Sequence, residues 1–516
     1  LVKQSKRYIQ TLAERVIAAK APGMKPTFAR RCLPLLIAPL LALAPAACRD
    51  RPAGESRVIV IGAQPQMRDP ATGPLSDGDA VLLQNVARGL VAFDPGGNIV
   101  GGLAERWNVS DDGLSYIFRL APAKWGNGRK VTAEQVARAL KRSLSARSKN
   151  PLSDALGVVE DVVAMTDRVI EIRLTAPRPN LLAILAQPEF AIVRLASGTG
   201  PFTLEAKKEA DGALVLTRTL GAGDESDERL EHIYLKGVAA ERAIAAFAAG
   251  EADLVLGGRF ADLPLTRRVK LERGALRFDP ASGLFGLVPT RTEGVFAKPE
   301  VRDLLSRAID RDAFATALGV PGLIPRATLL EPGLDGIAPP VAPAWYAVPV
   351  AERRAALFRQ AGALFGDGER PTVRVGLPNG PGGDLLLRQL AADWGALGLR
   401  VERSASPSAA DFVLVDEVAP SLSAAWFVRR FRCGIAAVCD QDADKLIDAA
   451  RGAQVSAQRY ALIAQAAGLI DTKSLFIPLI APVRWSLVAD SITGFRGNRF
   501  AHHTLGGLQD AQTGRE

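Results

Sequence analysis

Residues 89–144 read GLVAFDPGGNIVGGLAERWNVSDDGLSYIFRLAPAKWGNGRKVTAEQVARALKRSL. From Trp107 to Leu120, apolar Val109, Leu114, Tyr116, Phe118 and Leu120 alternate around the polar turn Ser110-Asp111-Asp112-Gly113. Alternation at period two on either side of a glycine-closed turn predicts a β-hairpin. A second glycine-punctuated turn, Lys124-Trp125-Gly126-Asn127-Gly128, follows. Thr132 then opens a helix, with Gln135 three residues on as capping-box partner. Val136, Leu140 and Leu144 recur every four residues and give that helix one apolar face.

Outward from this unit, the chain mixes strands and helices throughout. Arg57 to Gly62 is a buried-strand run, and Val81 to Leu90 a short helix pattern. Residues 158–176 read as two strands joined at Asp167, followed by a helix from Leu181 to Gln187. An alanine-rich helix, Glu241 to Gly250, ends on glycine and leads into a strand. Val301, Leu304, Leu305, Ala308 and Ile309 form the apolar face of another helix. Residues 320–350 are a proline- and glycine-rich loop. Amphipathic helices at 351–364 and 385–397 flank the strand Thr372–Leu377, and Asp411 to Val415 is a further strand. No repeat or low-complexity tract is present.

The 516 residues suffice for two or more lobes, each with its own core. The formal charge is +9, but residues 1–47 hold eight Lys or Arg against one acid, Glu14. That terminus therefore carries +7 and the rest only +2. No basic stripe interleaved with aromatics follows, so nucleic acid is not an expected partner. Met24 opens a basic segment, MKPTFARR. A short apolar run, CLPLLIAPLLALAPAA, and a small-residue site before Cys48 come next. This pattern reads as a secretory signal peptide, with Met24 the expected true start. Cys433 and Cys439 remain in an exported chain, where an oxidising compartment favours a local disulfide.

No Gly-x-Ser-x-Gly elbow, Gly-x-x-x-x-Gly-Lys loop or Gly-x-Gly-x-x-Gly turn occurs. The three histidines, His232, His502 and His503, sit in no recognisable triad setting. His502-His503 reads as a solvated pair. Asp440-x-Asp442-x-Asp444 imitates a calcium loop, but Lys445 and Arg451 replace its glycine and glutamate. These acids read instead as the first turn of a helix. No enzyme, metal site or cofactor is expected.

The stretch 89–144 also resembles the extracytoplasmic solute-binding proteins of ABC importers, in the dipeptide, oligopeptide and nickel branch known as solute-binding protein family 5. The matching residues are Gly89-Leu90-Val91, Phe93-Asp94, Gly97, Gly102-Leu103-Ala104-Glu105, Trp107, Asp112-Gly113, Tyr116, Phe118, Asn127-Gly128 and Thr132-Ala133-Glu134. Gly198-Thr199-Gly200-Pro201-Phe202, Ile309-Asp310-Arg311 and Asp444 to Arg451 extend the likeness to about residues 57–500. The resemblance implies an α/β, two-lobed periplasmic binding protein fold, type II-like, with an extra subdomain in the first lobe and a ligand cleft between lobes. The implied division is a signal region at 1–47, a tether at 48–56, lobe I at 57–270 plus 490–516 with a subdomain at about 76–190, and lobe II at 271–489. Ala46-Ala47-Cys48 resembles a lipobox, though Pro45 stands where leucine is usual. Lipidation of Cys48 with envelope anchoring, and plain cleavage with release into the periplasm, both stay open.

The implied function is capture of a peptide-like solute by cleft closure and delivery to an inner-membrane ABC permease, by a monomer. A non-peptide solute (metal chelate, opine or sugar derivative) or a sensory lipoprotein is the alternative. Peptide binders of this family carry an aspartate after the strand at 411–415, for the peptide's α-ammonium. Here Ala419-Pro420-Ser421 falls near that place, and Asp416 and Glu417 are the nearest acids. Trp426, Trp345, Tyr346 and Trp125 are the expected aromatic wall.

Overall fold

The computed structural model describes residues 54–194, 197–220, 229–366, 368 and 370–509. The signal region and Cys48 lie outside the described residues. In chain order the strands are β1 (Glu55–Ile61), β2 (Val91–Phe93), β3 (Ile99–Gly101), β4 (Ala104–Val109), β5 (Ser115–Leu120), β6 (Val159–Thr166), β7 (Val169–Leu174), β8 (Thr203–Leu204) and β9 (Leu214–Leu220). They continue as β10 (Arg229–Val238), β11 (Leu254–Arg259), β12 (Leu276–Phe278), β13 (Gly283–Pro289), β14 (Thr372–Gly376), β15 (Arg400–Arg403), β16 (Phe412–Val418), β17 (Ile477–Pro478) and β18 (Arg484–Val488). The helices are α1 (Asp77–Val86), α2 (Ala133–Leu144), α3 (Leu181–Leu185), α4 (Ala240–Ala248), α5 (Pro299–Ala308), α6 (Arg311–Leu318), α7 (Val350–Phe365), α8 (Pro381–Gly395), α9 (Ala424–Arg429), α10 (Gln441–Gly452) and α11 (Ser456–Thr472).

Two sheets organise the molecule. The larger runs β12-β18-β11-β1-β10-β9-β8, and the smaller β15-β14-β16-β13-β17. β1 is parallel to both β10 and β11. Its centre, Val58-Ile59-Val60, is buried on both faces, as an interior parallel strand requires. Ile59 joins one core, while Val58 and Val60 join another.

β4 and β5 form the hairpin read from sequence, and they extend through β7 to β6 as a separate four-stranded sheet. Tyr116, Phe118 and Leu120 point into its core, whereas Val109 and Ile117 stay exposed. Gly113 closes the turn at φ +69, a left-handed conformation that favours glycine. Thr132 caps α2 with Gln135 in the reciprocal box. Gln135 Oε1 also accepts from Trp125 Nε1 at 2.7 Å, which ties the tryptophan turn to the helix start.

The chain passes from the larger sheet to the smaller between Phe278 and Gly283, and returns between Pro478 and Arg484. The resemblance implies lobe boundaries at 270/271 and 489/490, one strand outside these change-overs. β12 and β18 pair with each other beside β11, so backbone hydrogen bonding assigns both to the larger sheet. The closing segment packs against the larger sheet. Leu505 and Leu508 pack with Val58 and Val60, and Leu505 N donates to Asn85 Oδ1 at 2.8 Å.

The two sheets share one core at their junction. Phe260 beside the larger sheet meets Phe285 of β13 edge-on at 4.7 Å, and Trp485 belongs to the same cluster. A fourth core lies among α9, α10 and α11, with Phe427 and Phe431 fully buried. Cys433 and Cys439 form a disulfide between α9 and α10. Asp440 caps α10 by accepting from the amides of Asp442 and Ala443, as the acidic run predicts. Among the described residues, no helix is long and apolar enough to cross a membrane.

Candidate functional site

A cavity of about 490 Å3 opens between the ends of the two sheets. Its walls come from far-apart segments. Val60 lies near the end of β1, Leu256, Gly257 and Arg259 near the end of β11, and Asp77, Val81 and Gln84 on α1. Gln187 and Glu189 follow α3, Asp416 to Val418 end β16 with Ala419 and Pro420 just beyond, and Trp426 and Arg429 lie on α9, which Arg430 follows. Arg484 and His502 also line it. This volume lies within the range of small-ligand sites.

Most of the charges here are already matched. Arg484 Nη1 donates to Asp416 Oδ1 at 2.7 Å, and Arg484 Nη2 to the Asp416 carbonyl at 3.1 Å. Arg259 grips Asp77 with contacts of 2.8 and 2.9 Å. Arg430 pairs with Glu417 in a more exposed setting. The strand also runs further than its sequence suggests, because Asp416 and Glu417 lie within β16, opposite Phe285 and Leu284. Gly283 begins the partner strand, where a Cβ would collide with the Glu417 carbonyl. The two acids expected to meet a ligand's ammonium are thus strand residues already held by arginines.

Three lining side chains carry buried polar atoms with no partner in the protein: Glu189 Oε2, both amide atoms of Gln84, and Arg429 Nη1. Burial pushes the Glu189 carboxyl up from its ordinary range and the Arg429 guanidinium down. Burying polar groups without partners is costly, so such atoms mark places where an occupant can gain hydrogen bonds.

Gln187 bridges the cavity. Its Nε2 donates to the Pro420 carbonyl at 2.7 Å, and its Oε1 faces His502 Nε2 at 2.6 Å. Burial, and then His503, lower the His502 pKa to about 4, so the ring is neutral at pH 7 and Nε2 donates. His503 is 7% exposed and faces Asp279 Oδ2 at 3.2 Å. The expected solvated histidine pair is instead packed: the closing segment folds back over β1 and carries both rings inward.

Of the six ligand candidates, the fold brings Asp416, Glu417 and Trp426 to this cavity. Trp125 is 4% exposed in the core of the inserted subdomain and lines a different cavity, beside Arg194. Trp345 lies under Arg311 and Arg353, against Tyr346, on the far loop of the smaller-sheet lobe. Sequence reasoning missed Gln84, Gln187, Glu189, Arg429 and Arg484. Glu189 did leave a signal, as a lone acid in the apolar run 181–193. Among the described residues, no group of three or more His, Cys, Asp or Glu side chains converges as a metal site would need.

Two sheets joined by two crossings, with a lined cavity between their ends, define a two-lobed periplasmic binding protein fold. Residues 98–427 match the bacterial extracellular solute-binding proteins, family 5 (middle region), and the chain belongs to that family. It is 25% identical over 538 aligned positions to a di/tripeptide-binding protein of Pseudomonas aeruginosa, covering 92% of this chain and 97% of that one. It is 29% identical over 174 residues to a protein of Brucella ovis named as an ABC transporter peptide-binding protein, and there the match spans 32% of the relative's length. Haemophilus influenzae OppA, solved with the peptide RPPGFSPFR, superposes with a TM-score of 0.73 at 18% identity, over 87% of this chain and 98% of that one. At that identity the superposition speaks for the fold.

Proposed function

We propose that this chain is the extracytoplasmic substrate-binding component of an ABC importer, taking a peptide-like solute into the cavity between its lobes. It acts as a binding protein, not an enzyme. Lobe I comprises the larger sheet with the inserted subdomain, and lobe II the smaller sheet with α5 to α11. Solute held between them favours the closed state through contacts that exist only there. The closed form is what the membrane permease recognises. Cys48 carries the lipid that holds the mature protein, as a monomer, at the envelope; Cys48→Ala should then release it from the detergent phase.

The observation that carries the solute class is the buried, unpartnered Glu189 Oε2 in a cavity that also holds the unpartnered Arg429 Nη1. A solute with both an ammonium and a carboxylate satisfies both. The membership of the family and the peptide-binding names of its relatives support the same reading. Mass spectrometry of the solute that copurifies with the protein, followed by calorimetry with Ala-Ala and N-acetyl-Ala-Ala, tests it. Binding of the free dipeptide and loss on acetylation are expected. Equal binding of both, or a copurified solute without an amine, would overturn the peptide reading.

A further inference from the structure

Pro420, Trp426 and Arg429 are shared with a second, smaller cavity of about 60 Å3. Much of its wall is apolar, from Ala155, Val158, Ile184, Ile447 and Ile463. Into this setting the fold brings four guanidinium groups from four places: Arg178 after β7, Arg429 at the end of α9, Arg451 in the last turn of α10 and Arg459 in the first turn of α11. A fifth, Arg432, is neutralised by Asp444 at 3.0 Å and Asp448 at 2.6 Å. Asp154 is the one acid on the wall, and its charge acts on Arg429.

Three of the remaining four arginines are poorly matched, and Arg451 is half-exposed. Arg178 Nε, Arg429 Nη1 and Arg459 Nη1 are buried with no partner in the protein. Arg459 is only 7% exposed, and its other amino group donates to the Ala453 carbonyl at 2.8 Å. Arg429 Nη2 reaches the Pro151 carbonyl at 3.5 Å. Arg451 lies 4.0 Å from Asp448, which Arg432 already holds. Burial, and then Arg459, Arg451 and Arg429, lower the Arg178 pKa to about 10. Like charges gathered against apolar walls are costly unless something neutralises them. The planar guanidinium fork matches the oxygens of carboxylate and phosphate. At about 60 Å3 the cavity holds several times the roughly 10–15 Å3 that one water needs, which is room for a small oxyanion group.

We propose that this cavity is an oxyanion-binding site, formed by Arg178, Arg429, Arg451 and Arg459, that takes a carboxylate or phosphoryl group. The occupant is either the anionic end of a solute in the larger cavity or a free phosphate ion. The site stands whether or not that solute is a peptide.

Calorimetry on the full chain with inorganic phosphate, against chloride at matched ionic strength, is expected to show saturable binding. Arg429→Gln and Arg459→Gln should each weaken it at least tenfold, while Arg268→Gln, outside the cavity, leaves it unchanged. Arg459→Lys keeps the charge and loses the fork, and covers the case in which the Gln variant does not fold; it should also weaken binding. Absence of saturable phosphate binding, or unchanged binding in the Arg429 and Arg459 variants, overturns the proposal. Competition between phosphate and the dipeptide Ala-Glu assigns the site to a solute's anionic end, and independent binding assigns it to the free ion. Phosphate binding without any dipeptide binding keeps this site and sinks the peptide reading; the reverse result sinks this site alone.

Discussion

Arg484, the first residue of β18 in the larger sheet, holds Asp416 of β16 in the smaller sheet at 2.7 Å, with the two side chains only 11% and 12% exposed. The pair sits where the chain returns from one lobe to the other, and it lines the cavity. It pins the two sheets together beside the cavity.

A buried pair is costly to break from one side, because the remaining charge is stranded. Asp416→Asn or Arg484→Met alone should therefore lower stability by about 3–5 kcal/mol. The double substitution Asp416→Leu with Arg484→Met should recover much of that loss. Denaturant unfolding of the three variants measures this. An Asp416→Asn variant of unchanged stability would show that the pair does not form.

Glu189, in place of Asp416 or Glu417, should read a solute's ammonium. Glu189→Gln is expected to weaken binding of a free-amine dipeptide by about 2–5 kcal/mol and to leave binding of the acetylated form unchanged. Glu417→Gln touches only a half-exposed pair with Arg430 and should change stability by less than about 1 kcal/mol. Calorimetry of wild type and Glu189→Gln with both ligands checks the first, and denaturant unfolding of Glu417→Gln the second.

Asp471 accepts from the Leu329 amide at 2.9 Å, and burial raises its carboxyl pKa to about 7. Its folded-state pKa exceeds the unfolded value, so the folded protein binds the extra proton between about pH 4 and 7. Stability contributed by this group is full below pH 4 and is lost as pH rises through 7. Asp471→Asn keeps an oxygen for the Leu329 amide and removes the titration. It should stabilise the protein at pH 8, flatten the pH dependence between 4 and 7, and change little at pH 4. Melting temperatures across that range check the sign.

The Cys433–Cys439 disulfide closes a six-residue separation between α9 and α10. Its reduction should cost about 2 kcal/mol in the chain-entropy picture. α10 and α11 carry Arg451 and Arg459, so phosphate binding is expected to weaken with it. Thiol labelling before and after reduction, with melting curves, tests both points.

Local chemistry was legible in the residues themselves. The Trp107–Leu120 hairpin, the Thr132 cap with Gln135, the buried run of β1 and the Asp440 cap follow from period, turn geometry and capping, each of which acts over a few residues. The ordered motifs over 89–144 carried the family and with it the two-lobed fold. The strand assignments of β12 and β18 were not legible, because a short apolar run pairs with whichever edge the tertiary arrangement presents. The site was less legible still. Asp416 looked like a free acid beside a strand end, but it meets an arginine 68 residues away. Gln187 reaches Pro420 across 233 residues. The partner of a charge, and so whether it is spent on the protein or left for a ligand, depends on which distant segments the packed lobes bring within hydrogen-bond reach. No local sequence rule encodes that distance; the tertiary structure alone decided it.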